Sequence, residues 1–285
     1  MVEIACRIAL SYDILRWEER SLIKEAESRG VKLELIYLKE KPITINMKPM
    51  DDVVVLQRSI SHYTAMASTI AFESCCARVI NTSDALAKSM DKLWSLSILR
   101  RAGLPTPKTL VAFTQESAMK AAEELGYPIV VKPTNGSWGR LICLARDPEE
   151  LRSIMEHRQY LPGSLAKVHL IQEFVKKPGR DIRVFVVGGE AVVAIYRVNG
   201  HWITNTARGA KAVPAKIDSE LEELSLKTAE ALGGEILGID FFEDPERGYL
   251  VNEVNPIPEF KNTVRVTGYN LPGKIIDYVI SVARR

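Results

Sequence analysis

The 285-residue chain is short of several things, and each shortage narrows its class. No apolar run approaches the roughly 18 residues that a membrane helix needs. The first apolar stretch carries Glu3, Arg7 and Asp13, where a secretory signal would have an uncharged centre, so the expectation is a cytoplasmic protein with no membrane contact. Cysteine is scarce. Cys6, Cys75, Cys76 and Cys143 form no C-x-x-C pair and sit among apolar residues, which reads as buried, reduced thiols. His62, His157, His169 and His201 lack the close spacing of a zinc site. Neither sign of charge dominates: 38 basic and 36 acidic residues are spread along the chain without a block of like charge. That argues against nucleic acid as the main partner, while leaving room for an acidic protein partner. There is no G-x-G-x-x-G, no internal repeat and no low-complexity segment. Gly268-Tyr-Asn-Leu-Pro-Gly273-Lys274 matches most of a P-loop, but Ile275 stands where a magnesium-binding hydroxyl is required and Pro272 removes a backbone N–H.

What is present is enough apolar material, 46% of residues, for one large domain or two to three small ones. The first stretch reads strand (Ile4 to Leu10), helix (Trp17 to Arg29, stopped by Gly30) and strand (Val31 to Leu38). A buried strand at 52–56, a helix over 62–77 and a strand at 78–80 follow, which makes a small parallel α/β unit over 1–90. A second region, 91–170, opens with a helix over Lys92 to Arg101 and the breaker Leu104-Pro105-Thr106-Pro107. It continues with a short strand, a helix ending near Gly126, strands at 128–132 and 141–144 and a helix over 148–157. The third, 171–285, takes up strands at 168–175, 181–187 and 191–197, the last two joined by a Gly188-Gly189 hairpin turn. A helix over 218–232, strands at 236–242 and 249–254 and a helix from about 272 complete it. The fold class is mixed α/β.

Four segments carry candidate chemistry. Asp240 lies in Gly238-Ile-Asp-Phe-Phe, and Glu253 and Asn255 in Val251-Asn-Glu-Val-Asn255-Pro256. Residues two apart on a strand share a face, so Glu253 and Asn255 project together, with Asp240 on the strand before. Two carboxylates and an amide oxygen suit Mg²⁺, which completes its shell with water and substrate phosphates; the same pattern also fits a solvated sheet face. Lys132 ends a buried strand before Gly136, Ser137, Trp138, Gly139 and Arg140, where glycines let backbone N–H groups approach a polyphosphate. A strand-capping lysine with an ordinary hairpin would look the same. Ile171-Gln172-Glu173-Phe174-Val175 offers backbone and apolar walls to an adenine edge, as many strands do. Arg180, Arg183, Arg197 and Arg208, with Asn205, supply groups that stabilise charge on a transferring phosphoryl group or bind carboxylates, although single arginines are commonly surface residues.

The order of these pieces resembles the ATP-grasp fold, in its RimK-like branch and particularly the α-aminoadipate–LysW ligase (LysX) family. The resemblance rests on Val131-Lys-Pro with Gly136-Ser-Trp-Gly-Arg-Leu141, Lys177-Pro-Gly-Arg-Asp-Ile-Arg-Val-Phe185, His201-Trp-Ile-Thr-Asn-Thr-Ala-Arg-Gly209 and Val251-Asn-Glu-Val-Asn255, and it covers nearly the whole chain. It implies an N-terminal α/β domain, a central domain and a C-terminal antiparallel-sheet domain, with ATP between the last two. Lys92 and Lys132 would bind phosphates, the Gly136–Ile142 loop would cover them, and Gln172, Glu173, Phe174 and Val175 would frame adenine. Asp181 and Arg183 would lie at the nucleotide edge. Arg197, Asn205 and Arg208 would act in catalysis, Arg197 and Asn205 also touching nucleotide, and Asp240, Glu253 and Asn255 would hold two Mg²⁺ ions. The reaction implied is phosphorylation of the C-terminal glutamate side chain of the small acidic carrier LysW, followed by attack of the α-amino group of α-aminoadipate, or of glutamate in the sister ArgX enzymes. That blocks the amine during lysine or arginine biosynthesis. Asn262-Thr263 resembles the aminoadipate version, while Val266-Thr-Gly-Tyr-Asn270 departs from it, so dual specificity stays open. A RimK-like ligase that needs no LysW and a non-catalytic nucleotide-binding module are the other readings. The resemblance further implies a dimer or tetramer.

Overall fold

The run Val53-Val-Val-Leu56 has no polar face, so it suits only a strand covered on both sides. The computed structural model, which describes residues 6–45, 49–136, 139–204 and 209–284, buries every residue of it. The first unit runs β1 (Arg7–Tyr12), α1 (Trp17–Ser28), β2 (Glu34–Tyr37), β3 (Val53–Gln57), α2 (His62–Ser74) and β4 (Arg78–Ile80). Its sheet is parallel, in the order β2-β1-β3-β4. Gly30 follows α1 at φ +71°, the left-handed position where glycine ends a helix without steric cost.

Two helices, α3 (Ser83–Met90) and α4 (Lys92–Arg101), lead to β5 (Thr109–Ala112), α5 (Gln115–Leu125), β6 (Ile129–Pro133), β7 (Cys143–Ala145), α6 (Pro148–Gln159) and β8 (His169–Glu173). The strands pair antiparallel in the order β5-β8-β6-β7. Ala118, Ala122, Leu151 and Met155 of α5 and α6 pack onto Ile129, Val131 and Ile171.

The third sheet, in the order β11-β10-β9-β12-β13, is built from β9 (Arg180–Val187), β10 (Glu190–Val198), β11 (Lys211–Ala215), β12 (Ile236–Asp244) and β13 (Gly248–Asn255). Helix α7 (Ser219–Leu232) backs it, and α8 (Lys261–Thr267) and α9 (Leu271–Ala283) follow. Strand alternation makes this sheet two-faced. Ile182, Val184, Val186, Leu237, Ile239 and Phe241 point to the α7 side, where they bury Leu221, Ala229 and Leu232. Asp181, Arg183, Arg197, Asp240 and Glu253 alternate with them and face the other way, which gathers the sheet's charged groups on one side.

The structure corrects several expectations. The boundary at 170/171 falls inside β8, which pairs with β5 and β6 in the second sheet. Helix α4 packs on the third sheet, with Leu99 sharing a core with Ile182 and Val254. Helix α9 returns to the first sheet: Leu271, Ile275, Ile276 and Val279 join Ile8, Leu10 and Leu22 in a core that also takes Phe185 and Val187. Phe174 and Val175 lie beyond the end of β8. Cys76 is exposed, and Cys6 and Cys143 are only partly buried; all four thiols are free. The P-loop look-alike is the α8–α9 turn with the first turn of α9, where the Gly273 N–H donates to Asn270 Oδ1 at 3.0 Å and Lys274 pairs with Glu190. Three elements carried no readable signal. Strand β11 contains Pro214 and sits on the sheet edge, where proline is tolerated. Helix α8 is short and rich in β-branched residues, and α3 runs into α4 with one intervening residue. No helix among the described residues is long and apolar enough to cross a membrane.

The β9–β10 turn gives a stability test. Gly188 has φ +60°, and a Cβ there would lie 2.3 Å from the ring of Tyr278. Gly188→Ala is expected to cost at least about 2 kcal/mol from backbone strain and overpacking together. Urea unfolding measures this, and an unchanged midpoint would contradict the packing described.

Candidate active site

Two cavities open on the polar face of the third sheet. The first, about 580 Å³ including its open mouth, lies between the second and third sheets. The second sheet contributes Val130, Lys132, Gln172 and Glu173, and the segment after β8 contributes Phe174, Val175 and Lys177. The third sheet contributes Asp181, Arg197, Asp240, Phe242, Asn252 and Glu253, and Trp202, Ile203 and Thr204 close one side. Phe174 and Trp202 meet edge to face at 6.2 Å and form an aromatic wall. The Gln172 amide donates to Thr109 Oγ1 at 2.9 Å, and the Glu173 carboxylate pairs with Arg247 at 2.7 Å, so these side chains brace the wall.

The interior of this cavity is cationic. Lys132 donates to Asn252 Oδ1 at 2.9 Å. Burial pulls its pKa down to about 7; Glu253 opposes the shift, and the neighbouring charges of Lys92 and Lys177 add to it. Burial pulls Lys177 to about 8 against the pull of Asp181, and its ammonium lies 4.7 Å from the Phe242 ring centroid. Lys92 does not line the cavity, but its Nζ stands 3.3 Å from Glu253 Oε1 and donates to the Gly136 carbonyl at 2.6 Å. Two ammonium groups whose charge is disfavoured by burial mark a space suited to an anion, and a polyphosphate would favour that charge again.

Asp240 and Glu253 are directly paired across β12 and β13, and so project from the same face. Asn255 pairs with Gly238 two residues along on that face, where its Nδ2 donates to the Gly238 carbonyl at 3.3 Å. It does not line the first cavity. A bulge in β13 puts Asn252 there instead, beside Glu253. Asp240 is held by Arg183 through two hydrogen bonds of 2.6 and 2.8 Å and lies 2.9 Å from Arg197 Nη2. Arg197 in turn grips Asp181 at 2.6 and 2.8 Å. Burial raises the Asp240 pKa, but the two guanidiniums outweigh it and hold the carboxyl below its ordinary value. Burial likewise works against the charge on Arg197, and Asp240 and Asp181 more than restore it. No cage of three or more His, Cys, Asp or Glu side chains forms among the described residues. The donor set of Asp240, Glu253 and Asn255 fits Mg²⁺, an ion that takes one or two carboxylates and leaves its other positions to water and phosphate.

The second cavity lies on the far side of Arg183 and Arg197, lined by those two with Glu18, Ile195, Glu259, Lys261, Asn262 and Thr263. Arg183, expected at the nucleotide edge, belongs here. Gly136, Gly139 and Arg140 line neither cavity. Ser137, Trp138, Asn205 and Arg208 lie outside the described residues. Sequence reasoning passed over Lys177, Asn252, Phe242, Glu18, Glu259 and Lys261. Lys177 and Asn252 sat inside motifs that had been singled out, whereas Glu18 looked like one charge among many on an exposed helix.

A small parallel domain, then two antiparallel sheets facing each other across a cationic cleft with paired carboxylates at its edge, define an ATP-grasp protein. The profile of the RimK-like ATP-grasp domain matches residues 89–279, and that of the LysX preATP-grasp domain residues 8–87. The chain is 48% identical to the α-aminoadipate–LysW ligase LysX of Sulfurisphaera tokodaii over 94% of its own length and 96% of that protein's. It is 36% identical to the glutamate–LysW ligase ArgX of the same organism, over 96% and 98%. The crystal structure of a RimK-domain ATP-grasp protein from Sphaerobacter thermophilus superposes with a TM-score of 0.76 at 24% identity, covering 96% of this chain and all of the other. The chain belongs to the RimK-like ATP-grasp family and is an ATP-dependent ligase.

The depressed Lys132 sets a pH dependence. Below pH 7 its ammonium is already charged; above pH 7 a bound triphosphate must recruit a proton to it, so affinity falls as pH rises, by up to about tenfold per unit. Titration calorimetry of ATP binding between pH 6 and 9 checks this. Lys132→Arg is expected to move the onset of the fall toward pH 8, where Lys177 takes over; a flat profile for the unaltered protein would contradict the burial argument.

Proposed function

We propose that this chain joins the α-amino group of 2-aminoadipate to the side-chain carboxylate of the C-terminal glutamate of a LysW carrier, with ATP converted to ADP and phosphate, in the cytoplasmic synthesis of lysine. One observation carries the reading. Asn262 and Thr263, the pair resembling the aminoadipate-type enzymes, line a charged cavity that shares its Arg197 wall with the lysine-lined cavity. A nucleotide held in the first cavity and an amine donor in the second would meet at that wall.

On this reading the adenine lies against Phe174 and Val175 at the Gln172–Val175 edge, while Lys92, Lys132 and Lys177 neutralise the phosphates. The loop Gly136–Ile142 would cover them. Arg197, with Asn205 and Arg208, stabilises the phosphoryl group as it passes to the carrier carboxylate. Asp240, Glu253 and Asn255 would hold two Mg²⁺ ions, which would supply charge neutralisation for the phosphates. The amine then attacks the acyl-phosphate carbonyl, the C–O bond to phosphate breaks, and the amine proton is lost to solvent. No nucleophile from the chain is needed, since phosphorylation itself activates the carboxylate. The chain contributes position and charge.

Glutamate differs from aminoadipate by one methylene, a discrimination of only about 1–3 kcal/mol. Purified protein with LysW, ATP, Mg²⁺ and both amino acids in competition should give a carrier heavier by one aminoadipyl residue on intact-mass spectrometry. Equal incorporation of glutamate would remove the specificity claim, and incorporation without LysW would redirect the reading to another RimK-like ligase. Glu253→Gln should lower turnover at least about 100-fold, the scale of lost electrostatic stabilisation, with its circular dichroism unchanged; near-normal turnover would remove Glu253 from the site.

A further inference from the structure

We infer that Glu18 is the residue that receives the α-ammonium group of the amino-acid substrate in the second cavity, an inference that rests on the reading of that cavity given above. Glu18 belongs to the parallel domain, in the first turn of α1, far in sequence from every motif of the ATP-grasp core. It reaches the cavity because α1 abuts the segment before α8. Glu18 Oε1 accepts the N–H of Phe260 at 3.2 Å and of Lys261 at 3.1 Å. The residue is only 5% exposed, and what it shows is turned to the cavity it lines. Its other carboxylate oxygen carries no hydrogen bond, and no cation lies within ion-pair distance of the group, among the described residues.

That makes Glu18 unlike every other acid nearby. Glu259, the second carboxylate of the cavity, is paired with Arg16 at 2.9 Å, and its side chain is 48% exposed. Glu19, next in the chain, is fully committed to Arg16 and Arg58. Asp240 and Asp181 are held by Arg183 and Arg197. A buried carboxylate is costly unless it is paired, and Glu18, anchored by two backbone N–H groups, feels Arg16 and Arg58 only beyond ion-pair distance. An α-amino dicarboxylate completes the balance: its ammonium goes to Glu18, and its carboxylates meet the opposite polarity of Arg183, Arg197 and Lys261 around the same space. Arg58 and Phe260 fix the position of this anchor. The buried Arg58 donates to the Pro258 carbonyl at 3.1 Å and lies 5.4 Å from the Phe260 ring centroid. The parallel domain would thus supply the amine half of substrate recognition, and the ATP-grasp core the carboxylate half.

Glu18→Gln separates recognition from scaffolding, because the amide oxygen still accepts both N–H groups while the charge is gone. Glu18→Ala removes both. Titration calorimetry would compare 2-aminoadipate with adipate, its analogue lacking the amine, on the full-length protein loaded with Mg²⁺ and a non-hydrolysable ATP analogue. The expected result is that Glu18→Gln weakens aminoadipate binding tenfold or more, leaves adipate binding within twofold, and leaves affinity for the ATP analogue within twofold. Wild-type aminoadipate affinity in Glu18→Gln, with loss only in Glu18→Ala, would reduce Glu18 to a backbone anchor and overturn the inference. So would a wild-type protein that binds adipate as tightly as aminoadipate. If the wild type binds neither aminoadipate nor glutamate, the reading of the cavity itself fails and the inference falls with it.

Discussion

The architecture of the site depends on one buried charge arrangement, Asp181–Arg197–Asp240–Arg183, laid across three neighbouring strands. Two guanidiniums and two carboxylates alternate, and each carboxylate accepts two hydrogen bonds from one arginine in fixed fork geometry. None of the four is tolerable alone at this depth: removing one partner of a buried pair costs about 3–5 kcal/mol, because the other charge is left without compensation. The arrangement forces these strands to keep one polar face. The opposite face, with Ile182, Ile239 and Phe241, is then free to be wholly apolar against α7. The same four side chains form the partition between the two cavities, so fold stability and substrate geometry rest on one set of contacts.

On one side of that partition, Lys132 and Lys177 are buried, and burial outweighs the carboxylates of Glu253 and Asp181 beside them. Stability is given up there in a way that only an anionic ligand restores. On the other side, the segment leading into α8 is gripped from the parallel domain. Glu18 takes its N–H groups, Arg58 its carbonyl, Arg16 its Glu259 side chain, and Trp17 stacks edge to face on Phe260 at 6.1 Å. The first sheet is thereby wired to the residues that shape the second cavity, and α9 locks the same interface through Leu271, Ile275 and Val279. What looks from the chain like a preceding domain physically supplies part of the wall of the second cavity.

The sequence showed the two-faced third sheet most clearly. The Gly188-Gly189 turn between two β-branched runs signals the hairpin, and Glu253 two residues before Asn255 signals a shared face. That the Asp240 strand can lie beside the Glu253 strand was legible; that the two residues stand directly opposite is a matter of register, which adjacency alone does not set. The bulge that brings Asn252 into the cavity did not follow, because an extra residue in one strand has no signature in the residues themselves. Lys177 was visible as part of a motif but not as a buried cation, since burial comes from Phe242 and Thr204 arriving from elsewhere. Glu18 was invisible for the same reason. It reads as one of several charges on an amphipathic helix until Phe260 and Lys261, some 240 positions away, are placed against it. Local pattern gave elements and faces; long-range docking decided which polar groups lost their water.

Asp240 is the point on which both halves turn, bound now by Arg183 and Arg197 and expected to share its oxygens with a divalent ion when nucleotide enters. The most direct test is the anomalous difference density of crystals grown with Mn²⁺ and a non-hydrolysable ATP analogue. The account predicts manganese between Asp240, Glu253 and the terminal phosphates, at roughly 2–2.3 Å from carboxylate oxygens. Phosphates bound at Lys132 with manganese distant from both carboxylates, or Asp240 still closed between its two arginines with no metal beside it, would contradict it.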